Sequence, residues 1–298
     1  MLVTCLGCNQ VYGLEKTHDR DAAPPLVLPD GAVLVTPPPG PTVCGAMPDF
    51  ETWSYGRVDV APSPAAFDLS LYNPNRAIVV GPTKRELWDV DLATGDATHL
   101  SPLDPPTAAE FRDPSMLPDG SVLWFRQTIA SQGLFVATRA SNWQKARETF
   151  GFVDPFSIEL GTPGFHDGTL RMVIALQGQA SDPVRLVELS SNDGIAWTRL
   201  DTITFDQSAI PGIITGPHLS ADGCVLLFST VSTLPYSLYA VARDGVKQFS
   251  GAPKRLVAAS SAGGYPTNPA LAPDQRSLWL AAQVAEQATL VYRLFRGQ

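Results

Sequence analysis

Three acidic residues stand at the heads of short apolar runs in three successive stretches of the chain. They are Asp68 in Phe67-Asp68-Leu69, Asp113 in Arg112-Asp113-Pro114-Ser115, and Glu159 in Ile158-Glu159-Leu160. Two carboxyl groups at one site, one protonated and one ionised, can cleave a glycosidic bond by acid/base or nucleophilic chemistry. Two later stretches carry Gly216-Pro217 and Asn268-Pro269 at the corresponding place. The same residues also have a structural reading, because Asp or Asn before Pro caps the start of a strand. Catalysis by Asp68, Asp113 and Glu159 therefore stands beside a capping role for them.

Other reactive side chains are few. The four histidines, His18, His99, His166 and His218, form no His-x-x-x-His pair. His166 and His218 fall in or near strands that start from the same end as the acids, where a lone His is ordinarily a satisfied polar group. No Gly-x-Ser-x-Gly elbow and no phosphate-binding loop occurs. Neither a metal nor a cofactor is expected. The cysteines are Cys5, Cys8, Cys44 and Cys224. Cys5-Leu6-Gly7-Cys8 reads as a redox or zinc half-site, which lacks two further ligands, or as a lipidation signal. Cys44 and Cys224 would pair only if the fold brings a Pro-rich segment to a strand in an oxidising compartment.

The elements that hold these residues follow from a repeated phrase. Met116-Leu117-Pro118-Asp119-Gly120 precedes the apolar run Ser121 to Phe125, and Leu219-Ser220-Ala221-Asp222-Gly223 precedes Cys224 to Phe228. Leu271-Ala272-Pro273-Asp274-Gln275 precedes Ser277 to Leu280. Weaker copies lie at Asn75 and at Asp167-Gly168. Successive turns are spaced by 44, 48, 55 and 52 residues. A near-constant period of this size marks an array of like units. Asp-Gly supplies the positive φ of a tight hairpin, and a second apolar run follows each first one, as in Gly133 to Ala137 and Ser237 to Val241. A helix is expected only as a short turn near Trp143 to Thr149.

Four strands per unit make the fold class all-β, a β-propeller of five four-stranded blades, or of six if Leu28-Pro29-Asp30-Gly31 opens another. Only two strands fit after the first strand of the last unit. Thr52 to Val60 then supplies its fourth strand and closes the ring. The phrase Pro-x-Leu-x-x-Asp-Gly-x-x-Leu-x-Phe, seen at Pro114 to Phe125 and Pro217 to Phe228 and nearly at Pro269 to Leu280, resembles the WD40-like (PD40) repeat of TolB-type propellers. That resemblance covers about residues 60 to 298 and implies blades rather than a chemistry. Ser190-Ser191-Asn192-Asp193-Gly194-Ile195-Ala196-Trp197 is similar to the Asp-box of sialidases and other propellers, with Asn192 in place of Asp. It implies a turn between outer strands, held by side-chain hydrogen bonds and Trp packing. Arg112-Asp113-Pro114-Ser115 is similar to the Asp-Pro element of arabinanase-related glycoside hydrolases. Val136 to Ser141 resembles a strand-and-turn phrase of envelope PD40 proteins, in which Arg139 meets a ligand or pairs with an acid of a neighbouring blade.

Leu6-Gly7-Cys8 resembles the lipobox of bacterial lipoproteins, which implies lipidation of Cys8. Residues 1–8 are then a shortened signal, 9–48 a Pro-rich tether and 49–298 the propeller. Proline-dense segments prefer extended, stiff conformations suited to a spacer. A net charge of −8 argues against nucleic acid or an acidic membrane surface as partner. No run of about 18 apolar residues is present for a spanning helix. The expected function is an envelope-anchored module, in the periplasm or on the outer membrane, that binds a protein or glycan at the channel mouth. Its membrane contact would be the lipid alone. The alternative is a glycoside hydrolase-like enzyme using Asp68, Asp113 and Glu159.

Overall fold

The repeated Asp closes its own turn. Asp119, Asp222 and Asp274 each accept, through Oδ1, the backbone N–H two residues on, from Ser121 (2.9 Å), Cys224 (3.0 Å) and Arg276 (3.0 Å). The next residue must take a left-handed backbone, and Gly120 and Gly223 do so at φ 71°. Gln275 occupies the third such position at φ 56° without that freedom. Each turn therefore forces an apolar run to fold back on the strand before it.

The structure is a computed structural model that describes residues 26–27, 33–35, 42–58, 68–81, 83–103, 109–128, 132–143, 147–148, 157–231, 237–244, 248–257, 265–283 and 290–296. The strands form antiparallel sheets in chain order. The first is Asp68–Asn73, Arg76–Val80, Leu87–Asp91 and Ala97–His99. The second is Glu110–Met116, Val122–Thr128, Gln132–Thr138 and Arg147–Glu148. The fourth is Ile213–Leu219, Val225–Val231, Ser237–Ala242 and Lys254–Arg255. The fifth takes Tyr265–Leu271, Ser277–Gln283 and Leu290–Arg296, then Ser54–Val58 from the other end of the chain, paired Leu294 to Gly56. Ring closure by the N-terminal strand is as the sequence predicts.

The third sheet differs. Its innermost strand is split into Ser157–Leu160 and Gly164–His166, both paired with Thr169–Gln177, before Arg185–Ser191 and Thr198–Leu200 follow. The break is Gly161-Thr162-Pro163, where Pro163 has no N–H to give the ladder. A Cβ on Gly161 would also lie 2.2 Å from the Val173 carbonyl. Five or six four-stranded blades is thus corrected. Among the described residues, four sheets of the ring are four-stranded blades, one sheet of the ring has five strands, and a separate sheet has two. That two-stranded sheet is Leu26–Val27 with Val33–Val35, either side of the Asp30-Gly31 phrase, and among the described residues it pairs with no strand of the ring. Among the described residues the only helical turn near Trp143 is a short 3-10 segment, Arg139–Ser141, ahead of the expected position.

The innermost strands touch in a closed circle, each against the next and the last against the first. The core follows that circle, with each apolar cluster lying between two neighbouring sheets. Trp124, Met172 and Trp197 fill the second-to-third junction, and Phe205, Phe228 and Phe249 fill the third-to-fourth. Trp279 packs with Leu69 and Val79 where the fifth sheet meets the first. The last residues of the predicted tether lie on this body. Met47 and Trp53 pack beside buried Phe50 in the fourth-to-fifth cluster, and Cys44 is disulfide-bonded to Cys224.

One junction is also ionic. Glu188 and Arg243, from the third sheet and the end of the fourth sheet's third strand, are buried together, with Nη2 to Oε1 at 2.7 Å and Nη1 to Oε2 at 3.2 Å. Arg243 Nε donates to the Gly223 carbonyl, and its guanidinium lies 4.1 Å from the centre of the Phe249 ring. Thr202 Oγ1 donates to Glu188 Oε2.

Candidate functional site

The three acids converge at the centre of the ring, each holding the backbone of the next sheet. The Asp113 N–H donates to Asp68 Oδ2 (2.7 Å), the Leu160 N–H to Asp113 Oδ2 (3.2 Å), and the Gly216 N–H to Glu159 Oε2 (2.7 Å). Asn268 Nδ2 returns to Asp68 Oδ1 (3.1 Å) and completes the circle to the first sheet. The innermost strands bulge to make this fit. Register shifts fall between Arg112 and Ser115, Thr215 and His218, and Thr267 and Ala270, and Asp113, Gly216 and Asn268 have φ of 46°, 53° and 46°. The X-Pro steps thus mark one structural position, as their sequence alignment implied. In the third sheet that position is Thr162-Pro163, not Glu159. Glu159 lies three residues earlier, and its longer side chain spans the difference.

Burial pushes the Asp68 carboxyl up to about 8, and the nearby negative charge of Asp113 pushes the same way. The N–H donors of Asp113 and Leu69 pull against that rise. Glu159 is also raised, first by burial and then by Asp113, against the hydrogen bonds from Thr215 and Gly216. Arg126 Nε lies 2.9 Å from Asp113 Oδ2. The space enclosed by Asp68, Asp113, Pro114, Leu160, Gly216 and Asn268 is about 30 Å³. That is the share of one water in the liquid, far below a sugar ring.

Room for a ligand opens beside the ring. A cleft of about 600 Å³ lies between the third and fourth sheets, with Glu159 at its inner end. Gln177, Pro183, Val184, Gln207, Ile213 and Ile214 line it, with Asp182 and Ser208 at its polar parts. A second hollow of about 390 Å³ shares Pro183, Val184, Gln207 and Ser208 and runs on to Arg185 and Phe205. Ser157 pairs with Gln177, so the cleft sits at the end of the sheet where the innermost strand begins. Its floor is fixed by Gln207, whose Oε1 accepts from Leu186 N (2.6 Å) and whose Nε2 donates to Leu186 O (3.1 Å). Ile213, 59% exposed, is at its rim. The sequence reading missed this cleft. Its one visible signal is Ile213-Ile214 heading a strand beside the polar run Asp206 to Ala209.

The remaining candidates have structural partners. Arg139 Nη2 lies 3.5 Å from Asp89 Oδ2 of the first sheet, the inter-blade pairing set against a ligand role. His218 is buried between sheets, its Nε2 accepting the Leu271 N–H (3.0 Å) and its Nδ1 lying 2.8 Å from Thr162 Oγ1. Burial lowers its pKa to about 3, so the ring is neutral. His99 stacks on Trp88 at 4.6 Å. The Asp-box turn joins the outer strands Arg185–Ser191 and Thr198–Leu200, as that resemblance implies. Asp193 holds it rather than Asn192, accepting from Ile195 N and Ala196 N at 2.8 Å each, and Trp197 packs edge-on to Trp124. Cys8, Cys5 and His18 lie outside the described residues.

No protein-family model matches the chain, and no curated protein matches it. Among solved structures it is similar to a putative TolB from Agrobacterium tumefaciens, 14% identical over 74% of this chain and 70% of that one, TM-score 0.48. It is similar to TolB from Acinetobacter baumannii, 14% identical over 85% of this chain and 66% of that one, TM-score 0.48. It is also similar to regucalcin, a calcium-binding protein from Agrobacterium tumefaciens, 16% identical over 82% of this chain and 95% of that one, TM-score 0.48. The chain thus spans about two thirds of the length of the TolB structures. The ring of sheets and its shared cores make the fold an all-β propeller.

Proposed function

We propose that the protein is an envelope-side binding module of the TolB-like, WD40-like-repeat kind, and that its ligand is an extended segment of another protein held in the cleft beside Glu159. The observation that carries this reading is the contrast in space. The ring centre offers about 30 Å³, while the adjoining cleft offers about 600 Å³ and is walled by strand residues such as Ala175, Gln177 and Ile214 together with the connecting segments at 182–184 and 207–212. Ligand sites of such size combine apolar walls with a few placed polar groups. Here Val184, Ile210, Ile213 and Ile214 supply the apolar part, and Asp182, Gln177 and Gln207 the polar part. No aromatic residue is among the described lining residues of the larger hollow, which favours aliphatic peptide side chains over stacked sugars. Asp182 and the net charge of −8 favour a basic residue in that segment.

The Cys44–Cys224 disulfide supports an oxidising compartment, and lipidation of Cys8 would tether the body there. The second reading, a glycosidase using Asp68, Asp113 and Glu159, draws on the raised pKa of Asp68 and Glu159. Against it stand the small space, about 30 Å³, and the carboxyl oxygens already taken by backbone N–H groups. The test is a panel of fluorescent peptides and oligosaccharides titrated against the full chain. Peptides pairing aliphatic residues with Lys or Arg should bind, and Ile213→Asp should weaken them at least tenfold. Oligosaccharide binding or cleavage, with peptides silent, would overturn the reading. Mass spectrometry of the membrane fraction should show diacylglycerol on Cys8.

A further inference from the structure

At the opposite end of the third sheet from the cleft, three chain segments meet. Cys44 comes from the N-terminal segment, His166 from the end of the third sheet's split innermost strand, and Cys224 from the head of the fourth sheet's second strand. The two sulfurs and a His166 ring nitrogen all lie within 4.8 Å of one another, with His166 and Cys224 buried. We infer that this cluster is a thiol-gated metal site: closed as the Cys44–Cys224 disulfide, and a two-thiolate, one-imidazole site for Zn²⁺ once that bond is reduced.

The ligand chemistry is that of zinc, which takes Cys sulfur at about 2.3 Å and His nitrogen at about 2.0 Å in a tetrahedron. Two such Zn–S bonds need the sulfurs only about 3.8 Å apart, a separation reached by side-chain rotation. The disulfide is not the sole link between these segments. Thr42 N donates to Asp167 Oδ1 and Asp167 N donates to Thr42 Oγ1, both at 3.0 Å, and these bonds would keep the segment carrying Cys44 beside His166 on reduction. Asp167 Oδ2, 3.8 Å from His166 Nε2, would accept that ring N–H if Nδ1 holds the metal, or serve as the fourth ligand, with water as the other choice. An external dithiol gives two electrons and two protons to the S–S bond and becomes a disulfide. Zn²⁺ then displaces both thiol protons and forms two Zn–S bonds and one Zn–N bond.

The test uses the full chain carrying Cys5→Ser and Cys8→Ser, so that the N-terminal pair cannot compete. The oxidised protein and the same protein after phosphine reduction are titrated with Co²⁺ and then Zn²⁺ under nitrogen. The reduced protein should take one equivalent, with a thiolate-to-cobalt charge-transfer band and tetrahedral visible bands that Zn²⁺ abolishes. The oxidised protein should show neither. Cys224→Ser should remove the band, and His166→Gln should weaken metal binding at least tenfold while circular dichroism confirms the fold. Absence of a stoichiometric site in the folded reduced protein would overturn the inference. So would a His166→Gln protein that binds as tightly as its parent.

Discussion

Asp68 makes the central ring a pH-sensitive part of the fold. Its carboxyl sits at about 8 in the folded protein against 3.8 unfolded, chiefly because burial penalises the charge and Asp113 repels it. The folded state therefore holds this proton more tightly than the unfolded chain. That contribution is complete below about pH 4, shrinks by ~1.4 kcal/mol per unit above it, and is gone once pH passes about 8. Across the window the loss is roughly 5 kcal/mol. Asp68→Asn removes the titration. It also turns one amide N–H toward Leu69 N or Asp113 N, which now donate to Asp68 Oδ1 and Oδ2, at a cost of ~1–3 kcal/mol. The variant should be less stable than the parent at pH 4, equal to it near pH ~5–6, and more stable at pH 8. Urea unfolding at fixed temperature from pH 4 to 9 reads the difference, because titrating groups that do not interact with Asp68 cancel between the two proteins, leaving Asp68 and its neighbours Asp113 and Glu159. Parallel stability curves would refute the assignment of a buried, proton-binding Asp68.

Other substitutions probe the joints between sheets. Arg243→Met leaves Glu188 buried without its partner and should lower stability by ~3–5 kcal/mol, or about 10 °C in Tm. Adding Glu188→Leu should recover most of that loss, as calorimetry of the pair would show. Cys44→Ser opens a crosslink between positions 180 apart in sequence and should cost about 3–5 kcal/mol in denaturant melts under non-reducing conditions. Gly216→Ala puts a Cβ 2.9 Å from Asn268 N at a φ of 53°, so it should destabilise by ~1–3 kcal/mol, whereas Gly45→Ala meets nothing within 4 Å and should be neutral.

The sequence was most informative where local chemistry decides the structure. The Asp-Gly phrase announces its turn because the Asp side chain and the left-handed residue are both within the phrase, as at Asp222 and Gly223. Ring closure by Ser54–Val58 was legible because Thr52 to Val60 is a strand-like run just ahead of the first repeat. The third sheet defeated the strand count because its break depends on Gly161 approaching the Val173 carbonyl, a contact made across strands. Asp113 could be aligned with Gly216 and Asn268, but Glu159 falls three residues before the X-Pro step of its own sheet, and the roles of the acids could not be read. Whether a carboxylate before Pro acts on a substrate or holds a neighbour depends on what the next sheet presents, and here it presents backbone N–H groups. The cleft was illegible for a related reason. Its walls come from 175–184 and 207–214, two segments that meet only when the third and fourth sheets pack.

The ring and the cleft together constrain how recognition works. In a propeller the shortest distances between sheets are at the axis, so groups there compete for the same small volume. Once Asp68, Asp113, Glu159 and Asn268 are committed to joining sheets, the axis is filled by the protein's own polar groups. On the proposed binding role, a ligand would sit where the sheets diverge and touch the axis from the side. Glu159 is the residue that spans both places. Its Oε2 is bound to Gly216 and Thr215, while it also lines the cleft between the third and fourth sheets. A cationic group brought to that cleft would favour the ionised form of a carboxyl whose pKa burial pushes up. Binding and proton release are therefore coupled by linkage, and affinity for a basic peptide should rise with pH until Glu159 is ionised in the free protein. Isothermal titration calorimetry in buffers of different ionisation enthalpy counts the protons released. A basic peptide that binds in the cleft with no proton release at any pH would show that Glu159 does not face the ligand.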